Sequence, residues 1–481
     1  MKLKDSRIIA VIVALIALLH FALSPREVKQ VSPARTQTTE SSRAARRAIV
    51  ISLDGLDVRY LRRADEFSLK IPTLRRLMKE GVLAGVESVY PSVTYPNHTA
   101  IVTGARPDRH RIVNNQVFVP PTSPQRGVQF WFARDIKTET LWDAARKRGL
   151  STGLVSWPVS TGAGDWNVPE IWKPGTSPSD SFPTTLAEIS RHARPAGLVE
   201  EIAERVPDIY KNVTKDEGDD HRAHWAEYII REKRPDLMLV HLFDLDHTEH
   251  NRGPFTPEAF AILEKVDGYV GRILAAAEQA GTLSETAVFI VSDHGFRDLS
   301  KYIHPAVVLR EAGLVTTRDE RSANVQTQTV VTDWRAYPYP SGGSCAIVLR
   351  DAGDRDAAER ARAALEKFNE QQGGKLFRIV GRDELSKLGA FPEAAFGLEA
   401  TFGYAFGDNH SGEAITETTR RGTHGYLPMP ADYRATLVVS GLDVVRRGDL
   451  GDVHMTEVGP TIAAALGLTL GDAQHGALKL R

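Results

Sequence analysis

Tyr90-Pro-Ser-Val-Thr-Tyr-Pro-Asn-His98 organises this chain, because it places a hydroxyl where an extended run turns into a helix. Pro96 occupies the expected first helical position and Gly104 the expected end, which is the usual asymmetry of helix termini. Thr94 then lies at a helix N-terminus, where free backbone N–H groups and the positive end of the helix dipole favour an anion. A hydroxyl at that place can attack phosphorus once a base or a metal ion helps it to ionise.

Four short apolar runs surround this stretch and read as strands covered on both faces. The runs span residues 48–53, 153–156, 237–243 and 287–292. Helical patterns lie between them, at about 73–80, 141–148, 222–233 and 258–279. This alternation predicts an α/β fold with a central, mostly parallel sheet and helices on both faces.

Two kinds of segment interrupt the alternation. Residues 301–420 read as a smaller inserted α/β or α+β subdomain, with a helix at about 356–371. Residues 115–135 and 157–220 are rich in Pro, Gly and Trp, and we expect them to form loops or lids over the sheet edge. Their aromatic side chains are interpreted as packing within the lid in preference to stacking on a nucleobase; these are Trp131, Phe132, Trp157 and Trp166.

The composition is that of an ordinary globular protein. The chain has 481 residues, of which 42% are hydrophobic and 25% charged. A net charge of -1 provides no global field that would favour a nucleic-acid partner. The single cysteine, Cys345, excludes an internal disulfide framework and is interpreted as a small core residue.

The N-terminus has the pattern of an export signal. Basic residues precede the apolar run 8–23, so residues 1–24 are predicted to be a signal peptide or a membrane anchor. Residues 25–46 are polar and predicted to be a flexible linker to a catalytic body at 47–481. Because an exported chain with one cysteine is not a disulfide-built secreted domain, we expect a bacterial periplasm or a membrane-anchored location outside the cytoplasm.

Carboxylates and histidines follow the predicted strands. Because ligands of α/β sheets bind outside the carboxyl ends of the strands, these side chains are expected to meet in one crevice. Asp246 and His250 are four residues apart, so one helical turn places them on the same face. Zinc accepts this mixture of ligand types. The candidate residues are Asp54, Asp244, Asp246, His247, His250, Asp293, His294 and His424.

Seven short motifs occur in order across residues 48–430. They are Ile51-Ser-Leu-Asp-Gly55, Pro91-Ser-Val-Thr-Tyr-Pro-Asn-His98, Val102-Thr-Gly-Ala-Arg-Pro107, Ile112-Val-Asn-Asn115, Asp246-His-Thr-Glu-His250 with Gly253-Pro254, Ser292-Asp-His-Gly295 and Gly422-Thr-His-Gly-Tyr426. Through this set the chain resembles the type I phosphodiesterase/nucleotide pyrophosphatase family of the alkaline phosphatase superfamily.

The resemblance implies a site with two metal ions, usually zinc, although other divalent metals also fit. One ion would be held by Asp54, Thr94, Asp293 and His294, and the other by Asp246, His250 and His424. Thr94 would attack a small-molecule phosphate ester, and water would hydrolyse the phosphothreonine that forms. Asn115 would donate to a phosphate oxygen, with a purely turn-forming role as its alternative.

The chain departs from the family pattern at two places. Glu249 stands where the family often has Gly, so its charge either strengthens metal binding or repels an anionic substrate. Tyr95 replaces a common Phe, and this change is expected to be harmless. Asp244 and His247 are assigned structural or supporting roles, with Asp244 as the runner-up to Asp246, and His98 is expected to pack behind the site.

The sequence leaves two alternatives to a phosphodiesterase or nucleotide pyrophosphatase. A phosphomonoesterase or phosphonate hydrolase could use the same scaffold, with Arg134 and Lys137 as candidate cations beside Asn115. An envelope binding protein could keep the fold without catalysis, although an intact Thr94 and ligand set argue against this. A sulfatase is disfavoured, because these enzymes carry a modified Cys or Ser in C/S-x-P-x-R and Thr94 does not fit that motif.

Overall fold

A computed structural model of the chain describes residues 47–125, 127–176, 182–211, 218–321, 327–441 and 444–480. The strands are β1 Arg47–Leu53, β2 Val82–Glu87, β3 Thr152–Val155, β4 Trp166–Val168, β5 Leu237–Leu242, β6 Thr286–Val291, β7 Arg297–Ile303, β8 Val315–Arg321, β9 Thr327–Trp334, β10 Ala336–Ser341, β11 Ser344–Leu349, β12 Phe377–Val380, β13 Ala394–Ala400, β14 Gly403–Phe406, β15 Ile415–Glu417, β16 Gly422–Thr423, β17 Ala435–Gly441 and β18 Gly448–His454.

The α-helices pack around these strands and include one long helix of 23 residues. They are α1 Val58–Arg62, α2 Pro72–Glu80, α3 Thr94–Thr103, α4 Pro107–His110, α5 Leu141–Lys147, α6 Phe182–His192, α7 Leu198–Arg205, α8 Asp219–Tyr228, α9 Asp244–Arg252, α10 Pro257–Gln279, α11 Pro305–Glu311, α12 Arg355–Gln371, α13 Arg382–Leu388 and α14 Met455–Ala465. A π-helical turn, Ile229–Lys233, continues α8.

The central sheet has the strand order β18-β2-β17-β6-β1-β5-β3-β4 within the described residues. Strands β6, β1, β5, β3 and β4 are parallel neighbours, whereas β17 runs antiparallel to both β2 and β6. Alternate residues of β1 enter different cores: Ile49 and Ile51 pack in one cluster, and Ala48 and Val50 in the other. Both faces are therefore covered, and the predicted mostly parallel α/β fold is confirmed.

The predicted elements agree closely with the structure, with two corrections. Helix α3 begins at Thr94, so Pro96 is its third residue and not its first. Proline is tolerated there because the first four N–H groups of an α-helix have no partner within the helix, so none is lost. Residues 157–220 are not only loops, because they contain β4, α6 and α7. Gly104 ends α3 in the left-handed conformation (φ 67°), as expected.

The 301–420 region contains the antiparallel sheet β10-β11-β13-β12, the hairpin β8-β9, and α11 to α13. Its boundaries as a subdomain stay a prediction. Residues 1–24 and 25–46, assigned to a signal or anchor and a linker, lie outside the described residues. Within the described part of the chain, no helix combines the length and apolar character needed to cross a membrane.

Candidate metal centre

Three neighbouring parallel strands end at the same edge of the central sheet. Asp54 follows β1, helix α9 with Asp246 and His250 follows β5, and Asp293-His294 follows β6 by two residues. Strand β1 lies between β5 and β6, so the three sets of side chains converge at the middle of the sheet edge. His424 directly follows β16, and β16 pairs with β7.

The first group of ligand-type residues is Asp54, Asp293 and His294, all buried. His294 Nε2 lies 3.0 Å from Asp293 Oδ2 and 3.3 Å from Asp54 Oδ1. Asp54 Oδ1, Asp293 Oδ2 and both His294 ring nitrogens lack a hydrogen-bond partner. Buried polar atoms normally have partners, so this cluster of unpaired ligand atoms fits a bound cation.

The second group is Asp246, His250 and His424. The Nε2 atoms of His250 and His424 are 3.2 Å apart, and each lies 3.6 Å from Asp246 Oδ1. His250 Nδ1 donates to the Gly422 carbonyl and His424 Nδ1 to the Ser92 carbonyl. Both Nε2 atoms therefore present lone pairs to each other and to a carboxylate, an arrangement that a metal ion makes favourable.

The two groups are adjacent. His294 Nε2 lies 4.0 Å from Asp246 Oδ1, and the rings of His294 and His424 stack with centroids 3.6 Å apart. The residues present fit two cations held by imidazole and carboxylate ligands, which is a set that zinc accepts.

Burial and mutual charge interactions shift the pKa values of these residues. Burial and repulsion by Asp293 and Asp246 raise the pKa of Asp54 well above its usual value. Burial would lower the pKa of His294, but Asp293 and the other carboxylates raise it to about 9. Burial lowers the pKa of both His250 and His424, which keeps them neutral as metal ligands must be.

Thr94 is the first residue of α3 and is partly exposed. Its backbone carbonyl accepts from His98 Nδ1, and that nitrogen lies 3.7 Å from Asp293 Oδ2. His98 Nε2 accepts from the Ser52 hydroxyl. His98 is fully buried, as expected for a residue that packs behind the first group. Thr94 thus shares a buried neighbour with Asp293, while its role as a ligand and nucleophile stays a prediction.

Asn115 is oriented by the start of α3. Its Oδ1 accepts the backbone N–H of Tyr95 at 2.8 Å. One N–H of the helix start is therefore occupied by Asn115 Oδ1, and the Nδ2 group of the same side chain can act only as a donor.

Asp244 caps helices and belongs to neither ligand group. Its carboxylate accepts the backbone N–H groups of Gly218 and Asp219, at the start of α8. Asp219 reciprocates by accepting the N–H groups of Phe243 and Asp244, at the start of α9. The pair fixes the beginning of the helix that carries Asp246 and His250.

Glu249 is fully buried and belongs to neither group. Its Oε1 accepts from the Tyr60 hydroxyl at 2.6 Å, and Oε2 has no hydrogen-bond partner. Gly55 has a positive φ (76°), and a Cβ there would lie 2.9 Å from Oε2. The carboxyl group therefore packs beneath the turn after β1.

Sequence reasoning missed two polar residues at the site, His241 and Glu170. His241 Nε2 donates to Asp54 Oδ2 at 2.9 Å, and its Nδ1 faces Glu170 Oε2 and the Ser156 carbonyl, each at 3.1 Å. A histidine inside the apolar run of β5 was a usable signal. Glu170 offered none, because its contacts are with residues far away in the sequence.

The buried aromatic side chains between residues 115 and 220 pack against other rings, as the sequence predicted. Trp157 is fully buried and meets His98 edge-on, and Trp131 packs against Trp172. The two cations considered for a monoesterase are both exposed. Arg134 lies over the Phe132 ring, and Lys137 donates to the Arg134 carbonyl.

A mostly parallel sheet thus carries two groups of carboxylate and histidine side chains at its strand ends, beside a helix that starts with threonine. The family model described as "Type I phosphodiesterase / nucleotide pyrophosphatase" matches residues 48–427. The chain belongs to this family.

Curated relatives have pyrophosphatase/phosphodiesterase names. Human ectonucleotide pyrophosphatase/phosphodiesterase family member 1 is 25% identical over 270 residues, which are 53% of this chain and 24% of that protein. A Schizosaccharomyces pombe pyrophosphatase/phosphodiesterase is 27% identical over 262 residues, which are 52% of this chain and 45% of that protein. The matched stretch thus spans less than half the length of these relatives.

Solved structures share the fold. Human ectonucleotide pyrophosphatase/phosphodiesterase 5 has a TM-score of 0.60 at 18% identity, with 91% of this chain and 97% of that chain covered. The murine protein, in an inactive threonine-to-alanine form bound to AMP, has a TM-score of 0.59 at 17% identity, with 88% and 96% covered.

Proposed function

We propose that this protein is a metal-dependent hydrolase that cleaves phosphodiester or pyrophosphate bonds in small nucleotide-type substrates. One observation carries the proposal: two adjacent groups of carboxylate and imidazole side chains lie at the strand ends, and the first group shares the neighbour His98 with Thr94, the first residue of α3. Membership of the type I phosphodiesterase/nucleotide pyrophosphatase family supports the reaction class.

The proposed site would hold two zinc ions per chain. Asp54, Thr94, Asp293 and His294 would hold one ion. Asp246, His250 and His424 would hold the other. When bound, the ions would lower the pKa of the Thr94 hydroxyl and neutralise charge on the leaving oxygen.

Thr94 acts as the nucleophile in this proposal. Its Oγ forms a bond to phosphorus while the bond from phosphorus to the leaving oxygen breaks, and the leaving group departs with a proton. Water then attacks the phosphoryl ester on Thr94, which releases the product and restores the hydroxyl. The inactive threonine-to-alanine form of the murine neighbour agrees with this role.

Asn115 stabilises charge in the same step. Because its Oδ1 accepts from the Tyr95 N–H, its Nδ2 group is available to donate to a non-bridging phosphate oxygen. Such a donor is preorganised, so it strengthens as negative charge grows in the transition state.

A diester or pyrophosphate fits better than a monoester. A monoester has one more negative charge and needs additional cations, whereas the exposed side chains of Arg134 and Lys137 contact the Phe132 ring and the Arg134 backbone carbonyl, respectively. The AMP complex of the murine neighbour supports a nucleotide-type substrate.

We further propose that the body is exported and acts outside the cytoplasm, in a periplasm or anchored by residues 8–23. The basic and apolar pattern of the N-terminus supports export, as do relatives named ectonucleotide enzymes. The inserted subdomain at 301–420 is part of the same proposed catalytic body.

The test compares zinc-loaded protein on bis-p-nitrophenyl phosphate and on p-nitrophenyl phosphate. A diester rate well above the monoester rate is expected. A preference for the monoester would overturn the phosphodiesterase proposal in favour of a phosphatase, and no hydrolysis of either would favour a binding protein.

A further inference from the structure

A continuous set of hydrogen bonds links the residue after Thr94 to the candidate ligand Asp54. The Tyr95 hydroxyl donates to Glu170 Oε1 at 2.8 Å. Glu170 Oε2 lies 3.1 Å from His241 Nδ1, and His241 Nε2 lies 2.9 Å from Asp54 Oδ2. Tyr95, His241 and Asp54 are buried, and the Glu170 side chain is 12% exposed.

His241 determines which oxygen of Asp54 faces the first ligand group. Its ring nitrogens face only acceptors, namely the Ser156 carbonyl and the two carboxylates, so the ring donates on both sides. Asp54 Oδ2 is occupied by this bond. Oδ1 is left without a partner, 3.3 Å from His294 Nε2.

Glu170 fixes His241 in turn. It lies two residues beyond β4, in the segment that sequence analysis assigned to a lid, and both of its carboxylate oxygens are engaged. The tyrosine that replaces the family's common phenylalanine therefore has a specific partner. The Tyr95 hydroxyl anchors Glu170, which holds the imidazole that orients Asp54.

We propose that Glu170 and His241 are positioning residues that set the Asp54 carboxylate for metal binding, an inference that rests on the proposed function. Residues that hydrogen-bond to metal ligands orient them and raise their affinity for the ion. Their loss typically costs about 10- to 100-fold in metal affinity or activity.

Glu170→Gln is the direct test. The variant keeps Oε1 as an acceptor for Tyr95 but places an amide N–H₂ against His241 Nδ1. We expect Zn²⁺ affinity at one of the two sites to fall about 10-fold or more, with the other site unchanged. Competition with a chromophoric chelator measures this affinity on the full chain and needs no substrate.

Glu201→Gln is the matched control. Glu201 also accepts from a tyrosine hydroxyl, that of Tyr228 at 2.6 Å, and pairs with Lys233, without contact to either ligand group. Its substitution should leave both zinc affinities unchanged.

In Glu170→Gln, kcat on bis-p-nitrophenyl phosphate should fall while KM changes less than about twofold, since Asp54 acts on the reacting centre.

Wild-type zinc affinity at both sites of Glu170→Gln would overturn the positioning role, even if the wild-type protein hydrolyses diesters. Absence of hydrolysis by zinc-loaded wild type would instead refute the proposed function. The zinc affinities of Glu170→Gln and wild type could still be compared, because that measurement needs no substrate. If circular dichroism shows that Glu170→Gln does not fold, Tyr95→Phe replaces it. A few-fold loss at one zinc site is then expected, and unchanged affinity overturns the proposal.

Discussion

Single hydrogen bonds arrange the residues around Thr94. His98 donates to the Thr94 carbonyl, and Asn115 accepts the N–H of the next residue. Both contacts hold the start of α3 without using the Thr94 hydroxyl. The side chain that we propose as the nucleophile is therefore placed by its neighbours and stays partly exposed.

Thr94→Ala should abolish turnover, by roughly 10³-fold or more, because the attacking oxygen is removed. The fold and most of the zinc content should persist, because the remaining ligands are unaffected. Rates on bis-p-nitrophenyl phosphate with parallel zinc analysis test this, and Thr94→Ser is the control that retains a hydroxyl. Sustained turnover in Thr94→Ala would remove Thr94 as the nucleophile.

Asn115→Ala should lower kcat by roughly 10²–10³, as for the loss of one preorganised oxyanion donor. Asn115→Asp separates the two functions of the side chain, since it keeps an acceptor for the Tyr95 N–H but removes the donor. Its rate should fall at least as far. An unchanged rate in both variants would assign Asn115 to the turn alone.

At this scale, the ligand-type residues could be predicted because they follow apolar strands and glycine turns. Asp244 and Asp246 were harder to separate, since both occupy the first turn of α9. Only the contacts of Asp244 with the start of α8 show that it caps a helix. Glu170 could not be found, because 71 residues separate it from His241.

Helices α8 and α9 are joined at their N-termini by the Asp219–Asp244 pair. Asp219→Ala should destabilise the fold by about 0.5–2 kcal/mol, the usual cost of a lost cap. Zinc affinity at the Asp246 group should fall as well, because α9 carries two of its residues. Denaturant unfolding and zinc competition measure both effects, with Asp219→Asn as the control that retains a capping oxygen. Equal stability of Asp219→Ala and wild type would contradict the capping account.

Glu399, in β13, ties two loops near the site, because it accepts from the Tyr90 hydroxyl and the Leu427 N–H. Burial raises its pKa to about 8, from an ordinary value of 4.5. The folded state thus binds an extra proton between these values, so this residue's contribution is present below pH 4.5 and lost as the pH rises through 8. The loss is at most about 1.4 kcal/mol per pH unit.

Glu399→Gln stays neutral at every pH. Its denaturation midpoint should rise relative to wild type between pH 6 and pH 8, and unfolding of both proteins at pH 6, 7 and 8 measures the difference. Glu80→Gln, at an ion pair with Arg76 on the surface, is the comparison variant. A constant difference between Glu399→Gln and wild type across this range would contradict the raised pKa.

The four strands predicted from the sequence match β1, β3, β5 and β6 to within one residue, because continuous apolar runs admit few alternatives. Strands β2 and β17 are also largely buried but were not predicted. Strand β18 offered no apolar run, since Gly448–His454 is largely exposed and polar and is held by pairing with β2. The start of α3 was misplaced by two residues, because a proline preference for the first turn does not specify which position it takes.

The whole molecule brings residues from five separate segments to one edge of the sheet. Two clusters cover the two faces of β1, so its carboxyl end and those of β5 and β6 are held in register. This packing holds carboxylate and imidazole groups close together, with the Oδ1 atoms of Asp54 and Asp246 and the Oδ2 atom of Asp293 left without hydrogen-bond partners. A bound cation would offset their mutual repulsion and link metal binding to folding.

A zinc titration of chelator-treated full-length protein tests this account most directly. Bound zinc and the rate on bis-p-nitrophenyl phosphate are followed together, from metal-free protein to excess metal. The account predicts an inactive metal-free protein whose activity rises as two zinc ions bind per chain. Full diester hydrolysis by the metal-free protein, or zinc binding at both sites without any hydrolysis, would contradict it.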